Sequence, residues 1–141
     1  MELIEAETGT QRSLGYVLDV GNPDGCARCW LDVAEGHLNR HHVMHGGIAG
    51  LLLDSAMGAT GSLTVDPTGR APFLTVSLTT QFVAAARAGQ RVTAMGRVTG
   101  GGRSLLFIAG ELVADDGTLI ATASGVFKRV ASDSLGKDRS K

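Results

Sequence analysis

Charge of one sign is missing from this chain: 13 basic residues meet 14 acidic ones over 141 positions, a formal charge of −1 at pH 7. Such a balance casts no broad field toward nucleic acid or an anionic lipid surface, so neither is an expected partner. Long apolar runs are missing too. The stretch from Ile48 to Leu63 is broken by Gly50, Asp54, Ser55 and Gly58, and no run approaches the ~20 residues that cross a bilayer. The opening residues M-E-L-I-E-A-E are acidic, without the basic-then-apolar pattern of a secretory leader, so no membrane and a cytoplasmic location are expected. Cysteine is scarce: Cys26 and Cys29 form C-A-R-C, with no second pair to complete a zinc set and a strand-like setting. His37, His41, His42 and His45 crowd nine positions but match no ligand motif, and a helix-borne H-E-x-x-H is absent, so no metal is expected. G-x-S-x-G is also absent, which removes the usual serine-nucleophile elbow.

What is present fits one domain over residues 1–141, with a core of about 14–130 and a polar tail from Ala131. Leu14 to Val20 and Cys26 to Val33 flank the turn formers Gly21-Asn22-Pro23-Asp24-Gly25 and predict a hairpin. Ala34 to Met44 is polar and aperiodic, a loop. Ile48, Leu51, Leu52, Ser55, Ala56, Ala59 and Leu63 then follow the spacing of one buried helical face. Asp66-Pro67-Thr68-Gly69 ends that helix. Beyond Pro72 the period falls to two: Leu74, Val76 and Leu78 alternate with Thr75, Ser77 and Thr79. Arg91 to Thr99, Ser104 to Ala114 and Leu119 to Val130 are further β-rich runs with short links, predicting an antiparallel meander of four strands. A helix this apolar needs cover on most sides, so an α+β fold with a curved sheet wrapped around one long helix is the expected architecture.

The segment from Asn39 to Asp54, N-R-H-H-V-M-H-G-G-I-A-G-L-L-L-D, concentrates the chemistry. A helix beginning at Gly46-Gly47 leaves backbone N–H groups without intrahelical partners and carries partial positive charge, ready for a carbonyl oxygen that becomes negative during reaction. Asp54 lies two turns along that helix. Gly47, Gly50, Gly58 and Gly61 project within roughly 80° of one another and of Asp54, at about 1 kcal/mol per interior glycine. That flank leaves room for a ligand or another backbone beside the carboxylate. An oxyanion donor and a carboxylate suffice for acyl transfer from a thioester, which is more electrophilic than an amide.

Asn39, His45-Gly46-Gly47 and Asp54, followed by V-S-L-T-T-Q-F, G-G-R-S-L-L-F and D-G-T-L-I-A-T-A-S-G-V-F, resemble the hot-dog-fold acyl-CoA thioesterases. The nearest group is the phenylacetate-degradation type, related to 4-hydroxybenzoyl-CoA thioesterases, and the likeness covers about Leu14 to Val130. It implies homodimers joined sheet edge to sheet edge, commonly paired into homotetramers, with active sites at the dimer interface. It further implies that Asp54 acts as nucleophile or as general base, that the Gly46 N–H polarises the thioester carbonyl, and that Asn39 and His45 orient substrate or water. Thr75 matches a small hydroxyl residue contributed across the interface; Gly47 and Arg103 match substrate or CoA contacts. Lys128 and Arg129 read as solvated basic residues, as do His41 and His42 as loop residues. No cofactor is implied, coenzyme A being part of the substrate. Two other functions share the fold: an acyl hydratase or dehydratase, disfavoured because Gly46-Gly47-Ile48 rather than an acid or amide follows His45, and a non-catalytic acyl-CoA sensor, disfavoured by the retained Asp54.

Overall fold

The computed structural model describes residues 1–131, so the tail expected from Ala131 lies, but for that residue, outside the described residues. Seven strands and two α-helices follow one another as β1 (Leu3–Ile4), α1 (Gly9–Leu14), β2 (Val17–Asp19), β3 (Arg28–Asp32), α2 (Gly46–Leu63), β4 (Phe73–Phe82), β5 (Arg91–Gly101), β6 (Leu105–Ala114) and β7 (Leu119–Arg129). All seven strands join one antiparallel sheet in the order β1-β2-β3-β5-β6-β7-β4. It wraps around α2, the hot-dog arrangement. No helix among the described residues is long and apolar enough to cross a membrane.

The expected hairpin is present as β2 and β3, with Leu18 opposite Cys29. Its first arm starts later than expected. Leu14 closes α1 instead, a helix whose Thr8 cap accepts from the Gln11 N–H and whose Gly15 takes a left-handed φ of 86°. The four-strand meander is overturned. Only β5, β6 and β7 form one; β4 pairs with β7, Thr79 facing Ser124, and β3 pairs with β5. The link from Val83 to Gln90 carries the chain across the sheet, which leaves β4 as an edge strand.

The helix's buried face is also rotated from the expected one. Leu52, Leu53, Ala56, Met57 and Thr60 are sealed in the core, whereas Ile48, Leu51 and Ser55 are half-buried. Gly96 and Gly110, opposite each other in β5 and β6, permit this close seat. A Cβ on Gly96 would stand 2.6 Å from Thr60 Oγ1, and one on Gly110 would stand 2.8 Å from Met57 Sδ. Thr60 itself donates to the Ala56 carbonyl (2.8 Å) and accepts from the Ala27 N–H (3.0 Å), tying α2 to the start of β3. Phe127, Ile108, Leu112, Leu31 and Val92 complete the core. Full burial of such side chains contributes roughly 1.5–3 kcal/mol each.

Candidate active site at the start of the central helix

The loop that delivers α2 is pinned at several points. The His37 ring, buried in a 3-10 turn (Glu35–His37), accepts the Ala34 N–H at Nδ1 (2.9 Å). A neutral ring then carries its proton on Nε2, which reaches the Leu14 carbonyl oxygen at 2.8 Å. The His37 carbonyl accepts the His45 N–H (2.9 Å), and the Met44 N–H donates to the Ala86 carbonyl (2.8 Å). Between these anchors Asn39 folds a tight turn: its Oδ1 accepts from the N–H groups of His41 (2.9 Å) and Val43 (3.3 Å). His42 takes a left-handed φ of 61° to complete it. The sequence presented His37 only as one of four clustered histidines. The fold makes it the residue that fixes the loop.

His45 occupies the N-cap of α2 with extended backbone (φ −60°, ψ 133°). Its Nδ1 accepts the Gly47 N–H at 2.8 Å. The N–H groups of Ile48 and Ala49 both turn to the His45 carbonyl oxygen (3.0 and 3.3 Å). That leaves one amide at the helix start. Among the described residues the Gly46 N–H has no acceptor.

Asp54 is half-buried on the flank that faces β4, and its Oδ1 accepts the Thr75 hydroxyl at 2.5 Å. The predicted glycine flank divides: Gly58 and Gly61 lie under Phe127, Ile108 and Phe73, but nothing stands within 4 Å of where a Gly50 side chain would begin. One turn before Asp54, the flank is therefore open. The apolar face expected for β4 is the exposed one at its start, since Leu74 is 48% and Val76 59% accessible while Thr75 turns to the helix. A bulge between Thr75 and Ser77 then reverses the alternation. Leu78 packs on the core, and the Phe82 ring reaches the helix start, 3.3 Å from where a Cβ on Gly46 would stand. Thr75 and Phe82 share a face, which a regular strand would deny to residues seven apart. Phe82 went unnoticed in the sequence because its only signal is this bulge.

The structure thus brings Asp54 to Thr75, and His45 to Gly46 and Gly47, with Asn39 shaping the adjoining loop. It does not bring Gly46 to Asp54: eight residues of helix separate them by about 12 Å. Arg103 stands beyond the other end of α2. With Arg129 it lines a groove of about 390 Å³ beside Thr64, Val65, Phe73 and Leu106. An adjoining one of about 530 Å³ adds Asp66, Arg70 and Pro72. Arg70 is paired to Glu7 at 2.8 Å, while Arg103 and Arg129 make no ion pair with any described residue. Of the two cysteines, Cys29 is fully buried, and desolvation pushes its thiol up to about 12, which makes it a core side chain rather than a nucleophile.

Known proteins are similar to this chain in sequence and fold. A candidate esterase of Pseudomonas aeruginosa is 32% identical over 97 residues, 69% of this chain and 70% of that protein. The phenylacetic acid degradation protein of Thermus thermophilus, solved in a mutant form, is 26% identical and superposes with a TM-score of 0.71 over 87% of this chain and 100% of that one. The PaaI protein of the Escherichia coli phenylacetic acid degradation operon has the same fold at 22% identity, with a TM-score of 0.75 over 89% of this chain and 86% of that one. The family model of the thioesterase superfamily matches residues 41–121, more than half of the chain, from the loop before α2 through the start of β7. The chain belongs to the thioesterase superfamily, as a hot-dog-fold member.

Proposed function

We propose that this protein is an acyl-CoA thioesterase, releasing a free acid and CoA-SH. The observation that carries the reading is the acceptor-free Gly46 N–H at a capped helix start, with an open-flanked carboxylate on the same helix. The thioester oxygen accepts from Gly46, where the helix end stabilises the charge of the tetrahedral intermediate. Asp54 either attacks the carbonyl carbon or takes a proton from water that attacks it. The C–S bond then breaks and the thiolate leaves, taking up a proton; where Asp54 attacked, water then cleaves the acyl–Asp54 anhydride, which frees the acid and restores the carboxylate. Thr75 orients the carboxylate; Asn39, whose Nδ2 has no partner among the described residues, and the outer edge of the His45 ring orient substrate or water.

About 12 Å within one chain is too far for one thioester to touch both Gly46 and Asp54. A homodimer removes the difficulty. β4 is an exposed apolar edge, and pairing it antiparallel with its copy around its midpoint sets each Phe73–Thr75 end against the partner's Thr80–Phe82 end. Asp54 with its Thr75 then meets the Gly46 of the partner, giving two composite sites. The groove of Arg103 and Arg129 lies ~15 Å along α2 from Asp54, a reach suited to a pantetheine arm, and their guanidinium groups, without an ion pair among the described residues, suit its nucleotide phosphates. The outer sheet face around Ala109 and Thr122, small enough for close packing, supports further assembly into a homotetramer.

The test is thiol release from a panel of acyl-CoAs by wild type and Asp54→Ala. Wild-type hydrolysis with a loss on the order of 10²-fold or more in the variant is expected. Unchanged hydrolysis in Asp54→Ala rejects that residue's role. Tight CoA binding without thiol release favours a sensor, and an enoyl absorbance change without thiol release favours a hydratase.

A further inference from the structure

We infer that Phe82 is the acyl-selecting wall of the site, giving preference to an uncharged apolar acyl group of several carbons over acetyl. The inference rests on the thioesterase reading and deepens it. Phe82 is 63% exposed although it is a large apolar ring, and it lies across Gly46, the residue with the acceptor-free N–H. The bulge in β4 aims it there. The backbone that follows is fixed, since the Val83 and Ala84 N–H groups both bind the Ile120 carbonyl (2.8 and 3.1 Å).

A carbonyl oxygen bonded to the Gly46 N–H sits about 3 Å from that nitrogen. The carbons next to that carbonyl then lie beside Gly46, where the Phe82 ring stands 3.3 Å from the place a Cβ would occupy. Acetyl has one such carbon and covers little of it; a longer or cyclic acyl group covers the face and removes it from water. The same contact favours glycine at position 46, because a Cβ there would stand 3.3 Å from the ring and make it give by a few tenths of an ångström.

The experiment measures kcat/KM for acetyl-, hexanoyl- and phenylacetyl-CoA with wild type, Phe82→Ala and Phe82→Leu, with light scattering to follow assembly. Phe82→Ala is expected to lose on the order of 10-fold for the two larger substrates and under ~3-fold for acetyl, and Phe82→Leu to recover most of the hexanoyl loss. Equal losses for all three substrates, no loss, or a smaller particle mass overturn the assignment. If wild type releases thiol from none of them, the thioesterase reading fails separately. The wall is then judged by calorimetric binding of the ketone analogues 2-oxoheptyl-CoA and acetonyl-CoA. Weakening of the longer analogue alone by Phe82→Ala supports it; equal weakening, or binding of neither by wild type, overturns it.

Discussion

Two aspartates in this molecule have opposite surroundings. Asp19 is buried, and its Oδ1 accepts two backbone N–H groups, from Glu2 and Gly21, each at 3.1 Å. Asp54 is half-buried and has one partner, the Thr75 hydroxyl, with open space along its helix flank. Asp19 finds its partners within its own chain and fastens β1 to the sheet. Asp54 is held in place but left with lone pairs to spare. Buried polar groups are ordinarily satisfied, so incomplete satisfaction, on a helix whose first amide is also an orphan, is what distinguishes a site from a support.

The largest expected effect removes that amide. Gly46→Pro deletes the N–H at the helix start that lacks an acceptor among the described residues, while suiting the first helical position, where proline is well tolerated. The extended backbone of His45, with ψ of 133°, already suits a following proline, and the exposed Phe82 ring has room to shift. Thiol release should fall by 10²–10³-fold with thermal unfolding little changed. Full activity in a folded Gly46→Pro protein would remove Gly46 from the mechanism and leave the two aspartates differing only in exposure.

A second experiment asks whether the partner that Asp54 lacks is in the other chain. Asp54→Ala and Gly46→Pro proteins, each nearly inactive, are unfolded together, refolded and assayed. Composite sites give half the dimers one intact site of two, and so about a quarter of wild-type activity. A site within one chain leaves every dimer dead. No recovery, with mixed dimers confirmed by mass, would return Asp54 and Gly46 to a single chain.

Much of this was legible in the sequence. The helix start at Gly46, the position of Asp54 on that helix and the β-rich runs after Pro72 all follow from turn chemistry and period. Strand order did not, because nothing in Phe73–Phe82 says whether β5 or β7 is its neighbour; the decision lies in the Val83–Gln90 crossing, whose path depends on the whole sheet. The buried face of α2 was misplaced because apolar residues nearly encircle it, and a helix apolar all round carries little phase. Leu53 and Met57, left off the expected face, are among its most buried side chains. One bulged residue, Val76, likewise inverted the face of β4 and hid Phe82. The residues that touch were readable only one at a time; their distances required the fold.

The smallest expected effect falls on Asp19. Burial alone would raise its carboxyl, but the N–H groups of Gly21 and Glu2 outweigh that and hold it below the usual carboxylate range. A depressed folded-state value means the carboxylate stabilises the protein above the unfolded carboxylate range near 4, and that this contribution disappears as pH falls through the folded value. Asp19→Asn keeps an acceptor oxygen and loses the charge, so at pH 7 it should cost about 1 kcal/mol, a fall of roughly 3 °C in Tm. Near pH 2 wild type and variant should unfold together. Thiol release at pH 7 and 25 °C should not change, since β1 lies at the opposite edge of the sheet from β4. A pH-independent gap in Tm would mean that Asp19 acts through packing, and a drop in activity would mean that the support and the site are coupled across the sheet.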